Sequence, residues 1–259
     1  MKPVLMKNRL LIRFGNFLFR HRNWLFPLMY ALLFVPSPRL FGDDLMAATF
    51  GGVVALLGQF IRIAAIGLEY IVRGGKNRQV YAKKLITGGF FAHCRNPLYD
   101  GNLLILLGLG LAADSVIFLV AGMGFFLVAY HAIIAAEEAF LRGKFGHEFD
   151  EYCNRVNRFW PRFSGFRETL TGMQFSWRRV ISAEYGSTFV WLEAYLLATI
   201  QNLYESGRGT SHASAITLLW TFTGVGFAAY LAARILKKTG RLAELPAAPK
   251  VPTKLHGIL

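Results

Sequence analysis

The chain has 259 residues, 54% of them apolar and 15% aromatic, with a mean hydropathy of +0.38 and a formal net charge of +14. An average soluble domain is only roughly 45–50% apolar, so the composition predicts a membrane protein. A net charge this positive could indicate a nucleic-acid partner, but its distribution argues otherwise, because the Lys and Arg residues gather between apolar runs and no base-stacking or groove-reading motif accompanies them.

The chain begins with a basic segment, residues 1–23, whose apolar spacing fits an amphipathic helix on an anionic membrane surface. A basic tail that only sets the orientation of the first span explains it equally well. Six apolar runs follow: Trp24–Phe41, Leu45–Val72, Pro97–Ala112, Val116–Leu141, Tyr185–Tyr204 and Ala213–Leu236. We therefore predict an all-α fold, a polytopic membrane bundle of about six transmembrane helices with cytoplasmic amphipathic segments.

The distribution of positive charge predicts the orientation of these spans. If both termini and every second loop are cytoplasmic, those segments hold all of the 29 Lys and Arg residues except Arg39, Arg62 and Arg208. Such a bias is expected of cytoplasmic loops. Arg62 interrupts the second run together with Glu69, seven residues later on the same helix face; we interpret the two as a bundle-facing or interfacial pair rather than as a substrate contact.

Two polar motifs mark the ends of the third and fourth runs. Asn96 before Pro97 predicts a helix start, since an Asn side chain can accept from first-turn amides and Pro tolerates the first helical position. The fourth run carries Glu137 and Glu138 at its end, a costly place for charge unless it is paired or wet. A break at residues 113–115 makes the two runs a helical hairpin, so the two motifs should meet.

These motifs resemble those of the isoprenylcysteine carboxyl methyltransferase and phospholipid methyltransferase superfamily of integral membrane enzymes. The resemblance covers roughly residues 85–161 and follows the pattern R-[HN]-P-x-Y-x-G, a hairpin, E-E-x-x-L, then F-G-x-x-[YF]-x-x-Y-x-x-x-V-x-R-x-x-P. Its positions here are Arg95, Asn96, Pro97, Tyr99, Gly101, Glu137, Glu138, Leu141, Phe145, Gly146, Phe149, Tyr152, Val156, Arg158 and Pro161.

The resemblance implies S-adenosylmethionine as cofactor. By the same resemblance the cofactor-binding residues are Lys83, Lys84, Leu85, Ile86, Phe91, Asn96, Pro97, Leu98, Tyr99 and Glu137. A helix start offers free N–H groups and a positive dipole to the cofactor's carboxylate, Arg95 adds a charge-assisted bond, and a glutamate can hold its ammonium or ribose groups. We predict catalytic roles for Glu137, Glu138 and Arg95.

The acceptor is predicted to differ from prenylcysteine. Four residues before the first glutamate, the carboxyl methyltransferases carry an arginine that faces the substrate carboxylate, and this chain has Ile133. Asn96 also replaces a His and Phe91 replaces a Tyr. We predict that the substrate is a lipid or another membrane amphiphile, with Arg158, Ile133 and His131 as substrate-binding residues and the methylated atom left open.

Two other functions remain open from the sequence. The hairpin and tail are also similar to the carboxyl-terminal region of sterol reductases, which use NADPH. The second alternative is that the chain is a relative that has lost enzymatic activity and serves as a membrane binding protein. No metal site is expected, since His93 and His131 lack a clustered ligand pattern. Cys94 and Cys153 lie in basic segments and are expected to be free thiols.

We divide the chain into five segments, and the oligomeric state stays open. They are the basic amino-terminal segment 1–23, spans one and two with a basic loop 24–84, the methyltransferase-like core 85–161, a linker with spans five and six 162–236, and a flexible basic tail 237–259.

Overall fold

The computed structural model describes residues 2–68, 80–172, 175–206 and 212–242, and all regular structure within them is helical. The predicted all-α class is therefore confirmed. The described residues form eight α-helices: α1 (Lys2–Tyr30), α2 (Asp44–Leu68), α3 (Pro97–Ala112), α4 (Met123–Phe145), α5 (His147–Arg155), α6 (Phe166–Gly172), α7 (Trp177–Glu205) and α8 (Ala213–Lys238). Short 3-10 turns at Ala31–Phe34 and Gly89–Ala92 and a π-turn at Phe118–Gly122 complete them.

Among the described residues, three helices are long and apolar enough to cross a membrane: α2, the continuous helix Phe118–Phe145 that contains α4, and α8. The helix α3 is apolar but has only 16 residues, fewer than the roughly 17–25 of a typical span. With 29 residues each, α1 and α7 are long enough but more polar. The chain is thus an integral membrane helical bundle, and three of the six predicted spans are both long enough and apolar enough to cross a membrane.

Two predicted helix boundaries are wrong. The basic segment 1–23 and the run Trp24–Phe41 are not separate, because α1 continues through Asn23 to Tyr30 and the chain leaves the helix well before Phe41. No helix-breaking residue stands at the predicted boundary, so helical periodicity continues across it. The fifth run begins earlier than Tyr185, because the Ser176 side chain caps α7 by accepting from the Arg179 N–H at 3.3 Å.

The predicted break between α3 and α4 is present. Asp114 adopts a positive φ of 49°, which Asp tolerates better than most residues, and its carboxylate accepts from the N–H groups of Leu40 at 2.7 Å and Phe41 at 2.9 Å. A second reversal lies at Gly146, where φ is +52°. It ends α4 at Phe145, so Phe145 and Phe149 lie on different helices.

Small residues determine which helices pack together. A Cβ added to Gly108 of α3 would lie 2.5 Å from the Gly51 oxygen of α2, and one added to Gly15 of α1 would lie 2.0 Å from the Ala132 oxygen of α4. The backbones therefore touch, as in other close membrane helix pairs. Because α3 packs mainly against α2 and α4 mainly against α1, the two arms of the hairpin diverge and leave space between them.

We predict that Gly108→Val lowers the stability of the protein by about 1–3 kcal/mol, because the new side chain overpacks the α2–α3 contact. The measurement is thermal unfolding of the purified protein in detergent. Gly124→Ala is the matched control, since a Cβ there meets nothing within 4 Å and alanine favours a helix. Equal unfolding temperatures for the two variants would contradict the close contact.

Candidate functional site

A cavity of about 1240 Å³ occupies the space between α3 and α4 and is walled on its other sides by α1 and α7. The volume exceeds the roughly 300–1,000 Å³ of an ordinary small-molecule pocket. It is therefore large enough to hold two ligands side by side.

Most of the residues that the sequence assigns to the site line this cavity. They are Lys83, Lys84, Leu85, Ile86, Phe91, Arg95, Asn96, Leu98, Tyr99, Ile133, Glu137 and Glu138. Three others do not line it. Pro97 is buried at the start of α3, and the His131 side chain is exposed. Arg158 does not border the cavity itself but donates to Glu138, which does.

Glu138 is held by two arginines from distant parts of the chain. Arg158 donates from Nε to Oε1 at 3.0 Å and from Nη2 to Oε2 at 2.5 Å, and Arg95 Nη2 lies 3.5 Å from Oε1. The Nε atom of Arg95 is buried and has no hydrogen-bond partner among the described residues. A buried N–H without a partner is costly, so this edge of Arg95 suits a ligand acceptor.

Glu137 has a different environment from its neighbour. The Tyr99 hydroxyl donates to Glu137 Oε1 at 2.9 Å, and the Tyr99 ring lies 5.0 Å from that of Tyr130, centroid to centroid. Both groups border the cavity. Of the two adjacent carboxylates, one is thus clamped by guanidinium groups and the other faces the cavity beside a phenol.

The start of α3 is placed by contacts with the segment after α5. The helix begins at Pro97, as predicted, but the predicted Asn96 side-chain cap is wrong: Asn96 Nδ2 donates to the Arg158 carbonyl at 2.9 Å. The Arg95 N–H donates to the Asn157 carbonyl at 2.9 Å, and His93 Nδ1 lies 2.7 Å from the Arg162 carbonyl. These bonds hold Arg95 and the first turn of α3 in a fixed position relative to the segment that follows α5.

Two further groups close the wall behind the cavity. The Cys94 thiol donates to the Phe159 carbonyl at 2.8 Å, and burial followed by the hydrogen bond to Asp100 raises the pKa of Cys94. The Tyr152 hydroxyl donates to the Phe91 carbonyl at 2.7 Å, and burial raises the pKa of Tyr152. Both groups therefore stay neutral near pH 7 and support the wall. Cys94 and Cys153 are both free cysteines.

The sequence did not reveal the polar groups at the inner end of the cavity. They are Tyr30, Arg62, Asn102, Tyr130 and Ser187, from five different helices. The only signal in the sequence was Arg62, a charge within an apolar run.

Arg62 does face the bundle, but its partner is Glu184 of α7. Arg62 Nε and Nη2 each donate to a Glu184 carboxylate oxygen at 2.8 Å, and both side chains are only 3% exposed. Its Nη1 donates to Asn102 Oδ1 and to the Leu98 carbonyl. Glu69, its expected partner, lies outside the described residues.

Comparison with known proteins gives the family. The sequence model of the phospholipid methyltransferase family matches residues 46–148. The cobalt-zinc-cadmium resistance protein CzcN of Cupriavidus metallidurans is 34% identical over 161 residues, which are 60% of this chain and 71% of that protein. This chain belongs to the phospholipid methyltransferase family.

A second relative supports the same membership. The nickel-cobalt-cadmium resistance protein NccN of Alcaligenes xylosoxydans xylosoxydans is 30% identical over 158 residues, 60% of this chain and 72% of that protein. No solved structure matches this phospholipid methyltransferase family member. Within the described ranges, no group of three or more His, Cys, Asp or Glu side chains is placed to hold a metal ion.

We predict that Glu184→Gln destabilises the protein by roughly 3–5 kcal/mol, because it leaves the buried Arg62 guanidinium without a carboxylate. Asp150→Asn is the matched control: it breaks the Arg142–Asp150 pair, whose side chains are 53% and 50% exposed. An exposed pair contributes at most about 1 kcal/mol. Reversible unfolding in mixed micelles measures both, and a Glu184→Gln loss no larger than that of the control would show that the buried pair does not hold α7.

Proposed function

We propose that this chain is an integral membrane methyltransferase that uses S-adenosylmethionine and methylates a lipid or another membrane amphiphile. The observation that carries this proposal is the convergence of Arg95, the first turn of α3 and Glu137 on one cavity. Family membership supports methyl transfer in general, and the cavity supports a zwitterionic cofactor.

The residues that are present suit S-adenosylmethionine. The partnerless Nε of Arg95 and the start of α3 would receive a carboxylate, since both favour negative charge. Glu137 would hold the ammonium or the ribose hydroxyls. Phe91 and Tyr99, whose rings border the cavity, would enclose the adenine.

The loop before these groups would complete the cofactor site. Lys83 and Lys84 are exposed and Leu85 and Ile86 are half-buried at the cavity wall. This arrangement leaves the polar end of the site accessible to a water-soluble ligand. We infer from the basic segments that this end and both termini face the cytoplasm.

When bound, S-adenosylmethionine supplies a methyl group activated by its sulfonium for in-line displacement. The protein would contribute orientation and the exclusion of water. Arg95 and Glu137 would orient the cofactor, and the apolar walls would exclude water. An amine acceptor must lose a proton before it attacks, which requires a base or an amine pKa lowered by burial. A carboxylate acceptor needs no base.

The remaining walls suit an acceptor from the bilayer. On α1, Phe19, Phe26 and Pro27 border the cavity, and on α7 Val190 does so. Neither helix lies in the part that the family model matches, residues 46–148. An amphiphile would place its chain along these apolar side chains and its polar group near Glu137.

The first test is binding of S-adenosylmethionine to the purified protein, measured by calorimetry with NADPH as the second ligand. We expect S-adenosylmethionine to bind and Glu137→Gln to reduce its affinity at least roughly tenfold, the loss of one charge-assisted hydrogen bond. Glu148→Gln, which changes an exposed carboxylate on α5, is the matched control and should not change the affinity. Binding of NADPH alone would favour the reductase, and binding of neither would favour a protein without activity.

The second test is transfer. Protein in native membranes is incubated with methyl-labelled S-adenosylmethionine, and lipid and small-molecule fractions are separated. We expect label in a lipid-soluble product that disappears with Glu137→Gln. If the wild-type protein binds the cofactor and no acceptor fraction gains label, the amphiphile acceptor is wrong.

A further inference from the structure

Three large aromatic side chains project from the protein away from the cavity. Trp160, Phe163 and Trp177 are 83%, 75% and 63% exposed, and none of them lines the cavity. They belong to residues 159–181, which run from the end of α5 through α6 into α7 and lie outside the part that the family model matches. Exposed apolar groups that cluster in this way mark an interaction surface.

This segment lies at the level where α2 leaves the membrane. With 25 residues α2 is ~37 Å long, more than the ~30 Å of a hydrocarbon core, so its end reaches the head-group layer. There the Ser176 N–H donates to the Gly67 carbonyl at 2.9 Å, and a Cβ added to Gly67 would lie 2.2 Å from the Phe175 ring. The lipid-facing side of α2 is exposed as far as Phe60, whereas none of residues 61–68 is exposed. The segment therefore covers the end of α2 at head-group depth.

The same segment is strongly basic. Residues 159–181 contain four arginines and a single acid, Glu168. Three of these arginines, Arg162, Arg167 and Arg178, are exposed among the aromatic side chains. Tryptophan favours the membrane–water interface, the arginine guanidinium matches phosphate oxygens, and the cytoplasmic leaflet carries anionic lipids. The surface whose chemistry and depth fit this segment is the head-group layer of an anionic leaflet.

Hydrogen bonds connect the segment to the residues that lead into α3. The Arg162 N–H donates to the His93 carbonyl at 3.0 Å, and His93 Nε2 lies 2.8 Å from the Thr169 hydroxyl of α6. Residues 93–96 therefore rest on the segment directly before α3 begins. A ligand that binds the segment in this arrangement also stabilises residues 93–96.

We propose that six side chains of this segment, here called the interfacial surface, bind the phosphate groups of anionic phospholipids in the cytoplasmic leaflet. They are Trp160, Arg162, Phe163, Arg167, Trp177 and Arg178. The aromatic rings enter the head-group layer, the arginines bind the phosphates, and lipid binding stabilises residues 93–96. The proposal does not depend on which cofactor or acceptor the cavity holds.

The first test is quenching of tryptophan fluorescence in nanodiscs made of equal parts of phosphatidylcholine and phosphatidylglycerol, with bromine on the acyl chains of one lipid or of the other. The difference between wild type and Trp160→Phe gives the contribution of Trp160. We expect brominated phosphatidylglycerol to quench it at least roughly twofold more than brominated phosphatidylcholine, because the arginines enrich the anionic lipid. Trp220, in a part of α8 without cations, is the matched control and should be quenched equally by both.

Two results would overturn the proposal. If neither brominated lipid quenches Trp160, the surface faces water or a soluble partner. If both lipids quench it equally, the surface touches the bilayer but does not recognise the anionic head group.

Double variants separate the interfacial surface from a general effect of charge. Arg167→Gln/Arg178→Gln should abolish the preference for phosphatidylglycerol at Trp160. Arg142→Gln/Arg155→Gln removes the same two charges from the end of α4 and from α5, whose exposed face is acidic, and should leave the preference unchanged. Equal losses in the two variants would show that net charge, rather than this surface, attracts the lipid.

Hydrogen exchange tests the connection to α3, with no cofactor added. The Arg95 N–H donates to the Asn157 carbonyl at 2.9 Å, and we expect this amide to exchange at least roughly threefold more slowly in the mixed nanodiscs than in phosphatidylcholine alone. Arg167→Gln/Arg178→Gln should remove the difference. The Ala113 amide at the other end of α3, which donates to the Leu109 carbonyl at 2.8 Å, is the control and should not respond. Unchanged exchange at Arg95 would overturn the stabilisation of residues 93–96 by lipid.

Discussion

The arrangement of this protein depends on the neutralisation of Glu138, a carboxylate at the end of an apolar membrane helix. Arg158 holds both of its oxygens, and Arg95 approaches one of them at 3.5 Å. Arg95 precedes α3 and Arg158 follows α5, so a single carboxylate joins three parts of the chain. Glu138 and both arginines are half-buried, and removing an arginine would leave the carboxylate at the end of an apolar helix less compensated, which favours keeping the three parts together.

Because Glu138 is satisfied in this way, the adjacent Glu137 can have a different role. It accepts a hydrogen bond from the Tyr99 hydroxyl, lies near enough to Arg22 for their charges to interact, and faces the cavity. Two carboxylates that are neighbours in sequence therefore differ in their environments. In our interpretation Glu138 assembles the site and Glu137 meets the ligands.

The hairpin geometry was accessible from the sequence, and the partners of its side chains were not. A break at Asp114 between two apolar runs returns their polar ends to one side, which is enough to bring Arg95 and Glu137 to one cavity. The sequence also marks the start of α3 at Pro97. It does not show that the Asn96 amide binds the Arg158 carbonyl instead of capping the helix, because that carbonyl comes from a segment 62 residues away.

The sequence likewise predicted the helices around the cavity only in part. Hydropathy marks apolar stretches, whereas helices end where caps and breakers stand. As a result, α7 begins before the predicted run Tyr185–Tyr204, and α1 begins before the run Trp24–Phe41 and ends within it. The pairing of Arg62 with Glu184 joins residues 122 positions apart. Arg62, an isolated charge within an apolar run, was the only trace of it, because Glu184 stands just before the predicted fifth run and Glu69 was the nearer candidate in sequence.

The buried Arg62–Glu184 pair connects two parts of the cavity that differ in origin. Arg62 lies within the segment matched by the family, residues 46–148, and Glu184 lies outside it. Arg62 also binds the Leu98 carbonyl in the first turn of α3, where the cofactor would bind. The pair therefore places the α7 wall at a fixed position relative to the first turn of α3. The hairpin lies within the matched segment and the α1 and α7 walls lie outside it; in this chain those walls contribute Arg22, Tyr30 and Ser187, which supply some of the cavity's hydrogen-bond donors and part of its positive charge.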